Sequence, residues 1–212
     1  MKANKKNIKF GDFIFQQPLQ LTPQFCKHCI NLFETHPVSN KHRNTGAILA
    51  GENNDIKQSE DINITGLKEF ASEDKIFEIA LKKLMHNYLS HLKSFNIVYG
   101  GLFDMNYEDS GFQLQKTTPG GFYDWHHDGI PNGNRRFTYL FYLNDVNNKG
   151  ETHFANGLKV KPEEGKGLIF PASWEYVHRG IAPKDEIKYI CTGWVSQVKE
   201  EKIPLENELE FN

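Results

Sequence analysis

Four side chains of this 212-residue chain have the types and spacing to build a redox-active metal site: His126, Asp128, His178 and Lys188. His126 and Asp128 stand two apart within the run Gly120-Gly121-Phe122-Tyr123-Asp124-Trp125-His126-His127-Asp128-Gly129. On an extended strand both point to one face, with His127 opposite. A neutral imidazole and a carboxylate so placed are two of the three ligands of a facial triad of two histidines and one carboxylate. That arrangement leaves three adjacent positions open on ferrous iron. One more histidine must come from a strand distant in sequence. His178 is the candidate, far enough past Asp128 to cross a sandwich and return. Lys188, ten residues further on, opens the strongest β-run of the C-terminal part, 188–195. A cation at the start of a buried strand is costly unless an anion meets it. A carboxylated cosubstrate would supply that anion.

The elements that must hold these groups can be read from periodicity. A helix is expected over 22–34, with Thr22 as N-cap, Pro23 at its first position, and Cys26, Cys29, Ile30 and Phe33 as one apolar stripe. Pro37 and the polar residues after it should end that helix. Residues 39–63 are polar and Asn-rich and read as an exposed loop, with a short strand at 47–49. A second helix is expected over 72–94, capped by Ser72, with Phe77, Ala80, Leu81, Leu84 and Tyr88 facing inward. From about residue 96 short apolar runs alternate with turns: 113–116, 121–125, 137–143, 152–154, 158–161, 167–170 and 188–195. Such spacing predicts a β-sandwich or barrel. Alternation puts Thr138, Leu140, Tyr142 and Asn144 on one face, with Phe137, Tyr139, Phe141 and Leu143 on the other. Lys188, Ile190, Thr192 and Trp194 share a face, and Cys191 points away from it.

With those pieces in order, the sequence resembles the iron- and 2-oxoglutarate-dependent dioxygenases, in their prolyl 4-hydroxylase-like branch. The matching pieces are residues 120–128, 136–144, Gly150-Glu151-Thr152-His153-Phe154, 160–165, Leu168-Ile169-Phe170-Pro171, and His178-Arg179-Gly180 with Lys188. The likeness spans roughly 112–194 well and the helical part more loosely. It implies a mainly β fold with outer α-helices: a double-stranded β-helix, the cupin-like jelly roll. One domain over 1–212 is expected, with a helical layer at 1–95, the jelly-roll core at 96–198 and an acidic tail at 199–212. The resemblance implies that His126, Asp128 and His178 ligate Fe(II). It also implies that Lys188 and Tyr142 hold the distal carboxylate of 2-oxoglutarate, with Thr192 and Trp194 beside cosubstrate and iron. Dioxygen is the further cosubstrate and ascorbate an accessory candidate. Two departures stand out. Thr117 and Thr118 occupy the region where the family usually has a tyrosine, and Lys149 stands where a second glycine commonly precedes Gly150.

The other candidates have plainer readings. Cys26-Lys27-His28-Cys29 has zinc-like spacing, but both thiols lie on a buried helical stripe and no second pair exists, so core packing is expected. His127 should face outward and His153 should be structural or substrate-side. Tyr123 either contacts substrate or packs in the barrel. Arg135 and Arg136 are read as a solvated turn, with a substrate-facing cationic pair as the alternative. Apolar residues at 38%, charged residues at 25% and a net charge of −2 describe an ordinary globular chain with no electrostatic case for nucleic acid. The pattern of two arginines six apart seen in nucleobase-repair relatives is absent, since Trp194 stands six after Lys188. No apolar run is long enough to span a bilayer, and no apolar stretch follows the basic start 1–6. Three cysteines suit a reducing compartment. The Lys- and Asn-rich composition suggests a bacterium or virus, so the expected location is the cytoplasm of the cell or infected host. The expected activity is hydroxylation of a peptidyl proline, or alternatively of a free amino acid or other small metabolite. A non-catalytic jelly-roll module is the third reading. Residues 39–63, 129–136 and 145–151 are expected at the entrance.

Overall fold

The computed structural model describes residues 8–48, 51–96, 102–103, 105–130 and 133–198. The acidic tail 199–212 and position 49 of the expected short strand lie outside them. In chain order the elements are β1 (Phe15–Gln17), α1 (Pro23–Thr35), α2 (Pro37–His42), β2 (Asn44–Thr45), β3 (Ala47–Ile48), β4 (Gly51–Glu52), β5 (Glu60–Asn63), α3 (Ala71–Lys93), β6 (Tyr107–Asp109), β7 (Gln113–Thr117), β8 (Tyr123–His126), β9 (Arg135–Tyr142), β10 (Thr152–Phe154), β11 (Lys159–Val160), β12 (Gly167–Pro171), β13 (His178–Gly180) and β14 (Lys188–Gln197).

The strands form a large antiparallel sheet, β1-β12-β9-β14-β7-β5-β2 with β6 also on β14, a smaller one, β11-β10-β13-β8, and a separate β3-β4 pair. Alternation along β9 and β14 sorts side chains between two cores. Phe137, Tyr139, Phe141 and Cys191 pack outward against α1 and α3, with Cys26, Cys29, Phe33, Phe77, Leu81, Leu84 and Tyr88. Leu140, Tyr142 and Ile190 point inward, where Phe154 and Val160 of the small sheet meet them. The architecture is the expected jelly roll with helices outside its larger sheet.

Several boundaries differ from the sequence reading, each for a local reason. Thr22 does cap α1, its hydroxyl accepting from the Phe25 amide at 3.2 Å. Pro37 does not lead into a loop: it opens α2, with the His36 ring accepting from the Val38 amide at 3.3 Å. Proline suits a first helical position as well as it stops a helix. Ser72 does not cap α3. The helix starts at Ala71 straight from a 3-10 turn, Lys68–Phe70, and its entry is set by the buried Phe70. Residues 39–63 are not simply a surface loop. β5 is hydrogen-bonded to β7, placing Ile62 opposite Leu114, and β2 pairs with β5. Residue 95 is therefore no boundary for the sheets, since β1, β2 and β5 join the large sheet from the N-terminal side. No helix among the described residues is long and apolar enough to cross a membrane.

Candidate metal centre

β8 and β13 are antiparallel neighbours in the small sheet, and His126 pairs directly with His178. The two histidines thus meet across one strand pair rather than from opposite sheets. Gly180 pairs with Tyr123, so two steps along β13 match three along β8. The extra residue is a β-bulge, which re-aims side chains next to it. Tyr123 and His126, which strict alternation would put on opposite faces, are stacked instead, ring centroids 3.5 Å apart and 13° from parallel. Asp128 lies just past the end of β8. One ligating atom each of His126, Asp128 and His178 falls within 4.8 Å of the others, the single such cluster among the described residues.

Backbone carbonyls set the orientation of both imidazoles. His126 Nδ1 lies 2.7 Å from the Asp124 carbonyl and His178 Nδ1 lies 2.9 Å from the Tyr176 carbonyl. A carbonyl only accepts, so each Nδ1 carries a proton, and Nε2 is the nitrogen whose lone pair the neutral ring offers to a metal. Burial, followed by the charge of His178, pushes the His126 pKa down to about 4 against the opposing pull of Asp128. Its imidazole is neutral at neutral pH. Burial alone would raise Asp128, but His178, His126 and the Thr138 hydroxyl, which donates to Oδ2 at 2.7 Å, hold it below the usual carboxylate range. The Trp194 indole N–H adds to that stabilisation, although it has no well-aligned hydrogen-bond acceptor.

A cavity of about 420 Å3 joins the cluster to Lys188. Lys188 is buried, faces Thr117 across β7 and donates to the Gly150 carbonyl at 3.2 Å. It has no ion-pair partner among the described residues, and burial brings its pKa down to about 8 despite Glu151. Thr192 and Trp194 also line the cavity, as alternation along β14 requires. The Thr192 hydroxyl donates to the Tyr139 carbonyl at 2.7 Å. Tyr142 is not among the lining residues. Its hydroxyl bonds Thr152 Oγ1 at 2.8 Å, and it is Thr152 that lines the cavity.

Other placements refine the sequence reading. Arg135 belongs to the cavity rather than to a solvated turn: its guanidinium lies 3.7 Å from the Trp194 ring centroid and donates to the Asp128 carbonyl at 3.3 Å. Arg136, next in line, bonds Gln197 and is exposed. His127 is exposed at the cavity rim. Of the three segments expected at the entrance, Lys57, Ser59, Gly129 and Ile130 line the cavity, but 145–151 does not. Lys57 had no signal in the sequence, being one polar residue in a polar run. Lys149 adopts φ +68°, a left-handed conformation that glycine takes freely.

The donor set suits ferrous iron: two imidazoles and one carboxylate, with cavity space beside them. The buried ammonium of Lys188, with no ion-pair partner among the described residues, suits an anionic ligand group.

Residues 112–196 match the model of the 2OG-Fe(II) oxygenase superfamily. No curated protein sequence matches the chain. Solved structures share the fold at low identity. The viral collagen prolyl hydroxylase of Paramecium Bursaria Chlorella virus-1, in its 2OG complex, is 21% identical over 88% of this chain and 97% of its own, with a TM-score of 0.60. A Pseudomonas putida prolyl-4-hydroxylase is 18% identical over 87% and 92%, with a TM-score of 0.59. A Trichoplax adhaerens prolyl hydroxylase, in complex with a hypoxia inducible factor peptide fragment, is 17% identical over 87% and 84%, with a TM-score of 0.68. Residues 112–196, which carry all three candidate ligands and Lys188, are thus the part of the chain that matches the 2OG-Fe(II) oxygenase superfamily, and the chain shares its fold with the prolyl hydroxylases compared.

Proposed function

We propose that the protein hydroxylates an unactivated C–H bond of a peptidyl substrate, most simply at proline. In this reading His126, Asp128 and His178 hold the iron. Lys188 meets the distal carboxylate of 2-oxoglutarate, and Tyr142 acts behind Thr152. The observation that carries it is the three-ligand cluster and the buried Lys188 on one cavity. The peptide reading draws on the three prolyl hydroxylase neighbours, one of them bound to a peptide. The cavity volume is within the range of small-ligand sites. That favours, as the second reading, a free amino acid or other small metabolite on the same iron centre.

Bound iron and 2-oxoglutarate supply the oxidising chemistry, in which dioxygen gives one oxygen atom to succinate, formed with loss of carbon dioxide, and the other to the substrate C–H bond. The protein's own residues do the positioning. The Asp124 and Tyr176 carbonyls accept from Nδ1 of each histidine and so turn Nε2 toward the iron. Thr138 and Arg135 hold Asp128 from its side chain and its backbone. Lys188, charged when it meets a carboxylate, fixes the far end of the cosubstrate. Trp194 and Ile190 form the apolar wall that keeps water from the reacting carbon.

The test is to incubate purified protein with ferrous iron, 2-oxoglutarate, ascorbate and air against peptide pools and amino-acid pools. A gain of one oxygen on a proline-containing peptide, coupled to succinate release, supports the proposal. A gain confined to free amino acids supports the second reading. No succinate in any pool, with or without substrate, refutes both. The cytoplasmic location stays part of the proposal and is checked by fractionating the source cells.

A further inference from the structure

The segment around Lys57 runs against the metal-bearing strand. The Gln58 amide donates to the Phe122 carbonyl at 2.7 Å, and the Asp124 amide donates to the Ile56 carbonyl at 2.9 Å. Lys57 forms a bridge with Tyr123 between them. Both its own side chain and that of Asp61 are almost fully buried, 3% and 0% exposed, and their charges meet at 2.6 Å. Ser59 donates to the other carboxylate oxygen at 2.8 Å. The Lys57 ammonium sits 5.2 Å from the centroid of the Tyr123 ring, within cation–π range. The other ring neighbour of Tyr123 is His126, stacked at 3.5 Å. The Asp124 backbone held by Ile56 also presents the carbonyl that orients His126 Nδ1.

We propose that Lys57, anchored by Asp61, is a positioning residue for the iron site. It holds the Tyr123 ring flat against the His126 imidazole, while its own segment fixes the carbonyl that orients the same ring. Surface packing does not call for such an arrangement, because a buried ion pair is a poor source of stability. As a device for holding one ring in one plane it fits the general pattern, in which groups behind metal ligands are worth about 10- to 100-fold in metal affinity. The proposal rests on His126 being an iron ligand, and its test separates the two ideas.

The experiment measures Fe(II) affinity anaerobically, and then the visible charge-transfer band that forms when 2-oxoglutarate chelates the bound iron. Lys57→Met is made together with Asp61→Asn, so that no uncompensated charge is left buried. With thermal melting showing a folded protein, iron affinity should fall about tenfold and the band should shift or broaden. Tyr123→Phe keeps the flat ring and should match the parent in both. Tyr123→Leu removes the ring and should reproduce the loss, which decides the matter if the double variant does not fold. Parent-like affinity and an unshifted band in a folded double variant, or in Tyr123→Leu, overturn the proposal. Absence of any band in the parent removes the iron and 2-oxoglutarate assignment itself, and this role with it.

Discussion

The chemistry of this site comes down to how a few side chains share charge in a buried space. Lys188 is the sharpest case. Its pKa of about 8 means that it carries its charge below that pH and loses it above. Affinity for 2-oxoglutarate should therefore be flat below about pH 8 and should weaken as pH rises through it, by up to about tenfold per unit. Anaerobic titration across this range checks the sign, and in Lys188→Met the slope should vanish. That variant should also bind 2-oxoglutarate about tenfold or more weakly at neutral pH while keeping its iron, as expected for a lost charged hydrogen bond. Unchanged affinity would remove Lys188 from the assignment. Thr138→Val takes one donor from Asp128 Oδ2, a bond of 2.7 Å, and keeps the volume. Iron affinity should drop about tenfold with folding intact, as read by metal titration beside circular dichroism.

At the scale of elements, the bulge in β8 and the alternation of β9 and β14 decide which side chains reach the cavity. Alternation was legible in the sequence: Thr138 and Leu140, then Lys188, Ile190, Thr192 and Trp194, all line the cavity as read. The bulge was not, because period-two reasoning assumes equal counts on paired strands. It brings Tyr123 onto the His126 face, where the ring lines the cavity. The turn before β10 offers a stability test. Lys149 sits at φ +68° without the freedom of glycine, so Lys149→Gly should stabilise the protein by about 0.5–1 kcal/mol in urea unfolding. α3 offers the opposite test. Phe77 is fully buried and packs on Phe112, with ring centroids 5.6 Å apart, so Phe77→Ala should cost about 3–5 kcal/mol.

For the whole molecule, the two cores divide the labour. The outer one ties α1 and α3 to the large sheet, and the inner one holds the two sheets apart around the cavity. Ligands that bind only the folded cluster must therefore raise global stability. Ferrous iron at about 100 times its dissociation constant should add about 2.7 kcal/mol, seen as a higher melting temperature, and His178→Ala should abolish the shift. The candidate ligand cluster, Lys188 and the faces of the late strands could be read from the linear order, because residue type and period two are local properties. The sheet role of 44–63, the Lys57–Asp61 pair beside Tyr123, the place of Arg135 on Trp194 and the carbonyls that orient both histidines could not. Each depends on which backbone lies next to which, and strand neighbours such as β5 on β7 and β13 on β8 are chosen by long-range pairing that leaves no local trace. The chain by itself determined which atoms could bind iron and a keto acid; the tertiary structure decided how those atoms are aimed, because aim is set by contacts between segments that are far apart in sequence.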